Sequence, residues 1–73
     1  MGLQLIVQAE SEAPIGRLLG DVGTRAEIFQ LEGELWGVCI PLEVVEALGE
    51  SVVRRRLSSL NVFDLYEGRW RYA

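Results

Sequence analysis

Histidine and lysine are both absent from this chain of 73 residues, and cysteine occurs once, as Cys39. Without histidine there is no side chain that ordinarily exchanges protons near neutral pH. Without lysine there is no side-chain amine to form a Schiff base. A lone thiol cannot close an internal disulfide, and Cys39 sits between Val38 and Ile40 with no imidazole to activate it. It reads as a small strand hydrophobe in a reducing compartment. These gaps remove most nucleophile-and-base pairs, so no enzyme and no cofactor are expected.

Long apolar runs are missing too. Nothing approaches the ~18 residues that cross a bilayer, and residues 1–9 lack the basic start and long apolar stretch of a secretory leader. A cytoplasmic protein is the expectation. Gly16, Gly20 and Gly23 have the spacing of neither a dinucleotide fingerprint nor a phosphate loop, and read as turn residues. Glu43 with Glu46, and Glu32 with Glu34, are carboxylate pairs that Mg²⁺ or Ca²⁺ could use. A stable site needs further oxygens in fixed geometry, so they read as a solvated acidic face.

What is present is apolar surface and unevenly spread charge. At 49% apolar, a single domain of this size has little room to hide its hydrophobic residues, and one core only just offsets chain entropy. Part of that surface is expected to be covered by a second copy, giving a homodimer. Residues 1–50 hold nine carboxylates against Arg17 and Arg25, a balance of −7, whereas residues 51–73 hold Arg54, Arg55, Arg56, Arg69 and Arg71 against Asp64 and Glu67, a balance of +3. Such a dipole can orient a partner, and it predicts a salt-sensitive association.

Periodicity predicts an α+β domain: four or five antiparallel strands, with two short helices at 41–48 and 51–60 packed on one face. Residues 3–9 alternate Leu3, Leu5 and Val7 against Gln4, Ile6 and Gln8, a strand with one buried face. Ser11 can cap a short helix ended by Gly20, but Gly16 weakens it, so 11–23 suits helix or loop. Strands at 26–31 and 35–40 flank Glu32-Gly33, and a two-residue loop there puts Phe29 opposite Trp36. Pro41 starts a helix with Leu42, Val45 and Leu48 inward, closed by Gly49. Ser51 can cap the next, with Val53, Leu57 and Leu60 on one face. A last hairpin, 62–66 with 69–72, turns over Glu67-Gly68, so that Leu65 faces Trp70, Phe63 faces Tyr72, Asp64 faces Arg71 and Tyr66 faces Arg69. The two hairpins echo each other, Phe-x-Leu before Glu-Gly and then Trp, a likeness that convergence of aromatic-zipped hairpins or an old internal duplication would each produce.

Helix, glycine turn, arginine-bearing helix and hairpin, over about residues 41–72, resemble the back half of a winged-helix DNA-binding domain. That resemblance implies Arg54, Arg55 and Arg56 on a recognition helix and Arg69 and Arg71 on a wing, touching phosphates. A net charge of −4 and the lack of a leading helix tell against it. The candidate interaction surface is therefore Arg54, Arg55, Arg56, Arg69 and Arg71 with Trp36 and Trp70, used first for a protein partner and alternatively for DNA or RNA. In the plainer reading the arginines pair with carboxylates, Arg71 with Asp64 among them, Arg69 stacks on Tyr66, and the tryptophans anchor a core or subunit interface. A third possibility is an acidic inhibitor that imitates nucleic acid, which needs Glu27, Glu32, Glu34, Glu43 and Glu46 on one surface.

Overall fold

The alternation in residues 3–8 becomes the central strand, β1 (Leu3–Gln8), with Leu3, Leu5 and Val7 buried and Gln4 and Gln8 exposed. The computed structural model describes residues 2–71. A helix follows, α1 (Glu12–Leu19), then a 3₁₀ segment (Gly20–Thr24), the hairpin β2 (Glu27–Glu32) and β3 (Leu35–Ile40), two helices, α2 (Leu42–Leu48) and α3 (Glu50–Arg56), and the hairpin β4 (Asn61–Asp64) and β5 (Arg69–Arg71). The strands form one antiparallel sheet in the order β2-β3-β1-β4-β5. Because β3 lies between β1 and β2, the first half is a split β-α-β unit. The class is the α+β arrangement expected, with a third helix, α1, where helix and loop were both open.

All three helices lie on one side. Ile15 and Leu19 of α1, Val22, Val44 of α2, Val53 of α3 and Leu57 join Leu3, Leu5, Val7, Val38 and Ile40 of the sheet in a single core. Ser11 keeps the extended N-cap geometry of α1 without a side-chain hydrogen bond. Gly49, at φ 93°, both closes α2 and opens α3. Ser51 accordingly lies inside α3 rather than capping it.

Four expectations need correction. In α2 the buried residue is Val44, with Val45 and Leu48 half-buried and Leu42 46% exposed. A helix this short fits either stripe by spacing, and contact with the sheet selects between them. The next helix stops at Arg56 rather than residue 60, because the Ser58 hydroxyl donates to the Arg55 carbonyl (2.7 Å) and Leu57 turns tightly back to Arg54 (3.2 Å).

The β2–β3 hairpin also departs from the expected register. Glu32 pairs with Leu35, the register shifts between Gln30 and Glu32, and Phe29 falls opposite Gly37 instead of Trp36. Trp36 turns to the helix side, where its indole N–H donates to the Ala9 carbonyl at 3.0 Å. The Phe29 ring lies across Gly37, where a Cβ would come within 2.5 Å of it.

The last hairpin turns through four residues, 65–68, rather than two. Val62 pairs with Arg71, Phe63 with Trp70 and Asp64 with Arg69. Asp64 sets this length: its Oδ1 accepts from the amides of Tyr66 (2.8 Å) and Glu67 (3.0 Å), and its carbonyl accepts from Gly68 (2.7 Å). The pairing foreseen for Tyr72 lies outside the described residues.

Candidate interaction surface

Part of the basic third is folded back onto carboxylates of the first fifty residues. Arg56, from the basic third, reaches Asp21 at 3.2 Å and donates to the Leu19 carbonyl at the end of α1 at 2.9 Å. Arg54 lies between Glu50 (3.4 Å) and Asp64. Arg25 meets Glu43 at 3.0 Å, and Arg69 meets Glu67 at 3.1 Å. Arg69 thus pairs along its own hairpin rather than stacking on Tyr66, and Asp64 is held by Arg54; the pairing foreseen for the Arg71 side chain lies outside the described residues. On α3 only Arg55 lacks an ion-pair partner among the described residues. The hairpin is no free wing, since β4 is hydrogen-bonded to β1.

The Arg54–Asp64 pair is the most buried electrostatic feature. Asp64 is 0% exposed and Arg54 keeps 20% of its side chain accessible. Burial alone would raise the Asp64 pKa, but the Glu67 amide, the Arg54 guanidinium and the Tyr66 amide together outweigh it and hold the carboxyl below its ordinary value. Burial acts downward on Arg54 too, and Asp64 and then Glu50 overcome it, so its pKa lies above the usual one. At the surface, the hydrogen bond from Arg56 lowers the pKa of Asp21.

The sequence-predicted surface residues do not converge. Arg54, Arg55 and Arg56 lie on α3, Trp36 packs against the core on the helix side, Arg71 is placed by its backbone pairing with Val62, and Trp70 lies on the opposite side of the sheet. The carboxylates required for a nucleic-acid mimic are divided as well: Glu27 and Glu32 share the register of the open face, while Glu43 and Glu46 are on α2.

What does converge is a row across the uncovered side of the sheet. Strand register aligns Phe29, Gly37, Ile6, Phe63 and Trp70, one from each strand. Phe29 is 44% exposed and Trp70 37%. The Phe63 and Trp70 rings meet edge to face with centroids 5.4 Å apart. Polar rows flank the stripe, Glu27-Cys39-Gln4 on one side and Glu32-Leu35-Gln8-Asn61 on the other. Between Phe29, Leu31 and Leu65 the face is hollowed over Ile6, Gly37 and Cys39. An aromatic centre with a polar rim is the anatomy of a protein contact surface. Its signal in the sequence is Ile6, an apolar residue on the even, outward side of a strand whose other outward residues are glutamines.

Among the described residues no three acidic, cysteine or histidine side chains are grouped to hold a metal ion, and no helix is long and apolar enough to cross a membrane. No protein-family model matches the chain, and neither a curated protein nor a solved structure matches it.

Proposed function

We propose that this chain is a non-enzymatic interaction domain that pairs with a second copy of itself through the open face of its sheet. The observation that carries the proposal is the five-strand row Phe29-Gly37-Ile6-Phe63-Trp70, apolar throughout and lying on the side no helix covers. The 25 strand residues, at ~4.8 Å spacing and ~3.3 Å rise, make a face of roughly 400 Å². Two copies would then bury about 800 Å², short of the ~1,000 Å² of a stable specific contact, so a weak dimer is expected.

Charge favours one arrangement. Glu27 and Glu32 share the register of the open face on edge strand β2, and no arginine lies there among the residues whose side chains are described. A two-fold axis parallel to β1 sets β2 of one copy over β5 of the other, apolar row on apolar row, and keeps the carboxylates apart. An axis along the row would stack them against each other. The lone Cys39, kept reduced, suits a cytoplasmic setting.

Nucleic-acid binding is the weaker reading: the aromatic row could stack bases, but no described cation accompanies it, and three of the four arginines with described side chains in the basic third are engaged with carboxylates of their own chain.

Sedimentation velocity across micromolar concentrations should give a reversible dimer for the wild-type chain and a monomer for Phe29→Glu and Ile6→Lys, with unchanged far-ultraviolet circular dichroism. A wild-type monomer throughout that range sinks the proposal. Binding to random oligonucleotides at low salt would promote the alternative.

A further inference from the structure

A second concavity lies on the helix side, between α3 and β4, and encloses about 340 Å³. That is near the lower end of the ~300–1,000 Å³ typical of small-molecule sites. Its floor is aliphatic, formed by Leu5, Leu57, Leu60 and Val62. One wall is a stripe of α3 and the turn after it: Ser51, Arg54, Arg55 and Ser58, positions i, i+3, i+4 and i+7 that share a helical face. From this juxtaposition we infer that the groove binds a small amphipathic anion, an aliphatic body on the Leu57-Leu60-Val62 floor with one carboxylate-type head at Arg55 and Ser51.

The two arginines have different parts. Arg54 is clamped by Asp64 and Glu50, so it forms a rigid, charge-compensated wall. Arg55 is exposed, and no described carboxylate lies within ion-pair distance of it. Its planar fork is available for a carboxylate, and the Ser51 hydroxyl lies one helical turn away. Among the described residues no carboxylate lines the cavity, and Asp64 is paired with Arg54. An anion therefore meets a cation and a hydroxyl at the mouth and hydrocarbon within, whereas an apolar body alone leaves Arg55 unused. The site is on the opposite side of the sheet from the proposed dimer contact, so the two stand or fall separately.

Titration of the ¹⁵N-labelled protein with decanoate, followed by amide shifts, tests the inference, with decanol as the uncharged control and acetate as the head alone. Decanoate should shift Ser51, Arg55, Ser58 and Val62 saturably and bind roughly tenfold tighter than decanol, the effect of one charge-assisted hydrogen bond; acetate should not saturate. Arg55→Glu, at an exposed position, should weaken decanoate by at least the same roughly tenfold factor, and Ile6→Lys should leave it unchanged. Equal affinity for decanol, undiminished binding by Arg55→Glu, shifts confined to the Phe29–Trp70 face, or no saturable shift overturns the assignment.

Discussion

Asp64 divides its carboxylate between two neighbours, Oδ1 accepting from the Tyr66 and Glu67 amides and Oδ2 facing Arg54. Removing it would leave a mostly buried guanidinium with only the more distant Glu50 carboxylate, and the turn without its two side-chain hydrogen bonds. Asp64→Ala should therefore cost about 3 kcal/mol in a urea melt at neutral pH, the low end for a broken buried pair, because Arg54 retains some water. The sign with pH follows from the depressed native pKa. The stabilisation is complete above the ordinary value of ~3.9 and is lost as pH falls below it through the native value. Wild-type stability should drop below about pH 4, and Asp64→Asn should flatten that limb. Arg54→Met returns the native pKa toward the ordinary one and should shrink the same loss. An unchanged acid limb in Asp64→Asn would assign it to other carboxylates.

Phe29 and Gly37 form another residue-scale pair. Alanine at Gly37 would put its Cβ 2.5 Å from the Phe29 ring, so the ring must swing away. Because Phe29 is partly exposed, the cost should be modest, about 1 kcal/mol, and should vanish in a Phe29→Ala background. A double-mutant cycle by thermal melting measures this coupling, and additive losses would contradict the contact.

At the scale of elements, boundaries are where periodicity and structure part. Hydrophobic spacing places α3 and its core residues Val53 and Leu57 correctly, but not its end, which the serine back-bond sets at Arg56. The turn between α2 and α3 depends on Gly49 at φ 93°, a conformation that costs a side-chain-bearing residue about 1–2 kcal/mol. Gly49→Ala should lower the melting temperature by that equivalent even though nothing lies within 4 Å of the added Cβ. A neutral Gly49→Ala would mean that the two helices can reorient freely.

For the whole molecule, charge does less than its distribution along the chain suggests. With Arg56 on Asp21 and Arg54 on Glu50 and Asp64, two arginines of the basic third are already engaged, and the open face is mainly apolar. The proposed dimer should therefore persist, or tighten slightly, as salt rises from low to about 0.5 M, where the Debye length falls to a few ångströms. That reverses the salt sensitivity expected from charge alone. Cys39, in a flanking row of the open face, supplies the check. Its reaction with a thiol reagent should slow as protein concentration rises, and Phe29→Glu should abolish the slowing.

Local order of apolar and polar residues was enough to specify the class, the central strand β1, the β2–β3 and β4–β5 hairpins and the core residues Leu3, Leu5, Val7, Val53 and Leu57, since each depends on a period of two or 3.6 along the chain. The lack of histidine and lysine likewise belongs to composition alone. Which residues share the open face could not be read that way. A bulge beside Leu31 and an aspartate-bonded turn after Asp64 each displace a register, and every cross-strand neighbour then changes with it. Only the tertiary arrangement, in which β1 lies between β3 and β4, sets Phe29, Ile6 and Trp70 in one row and returns Arg54 and Arg56 to carboxylates of their own chain.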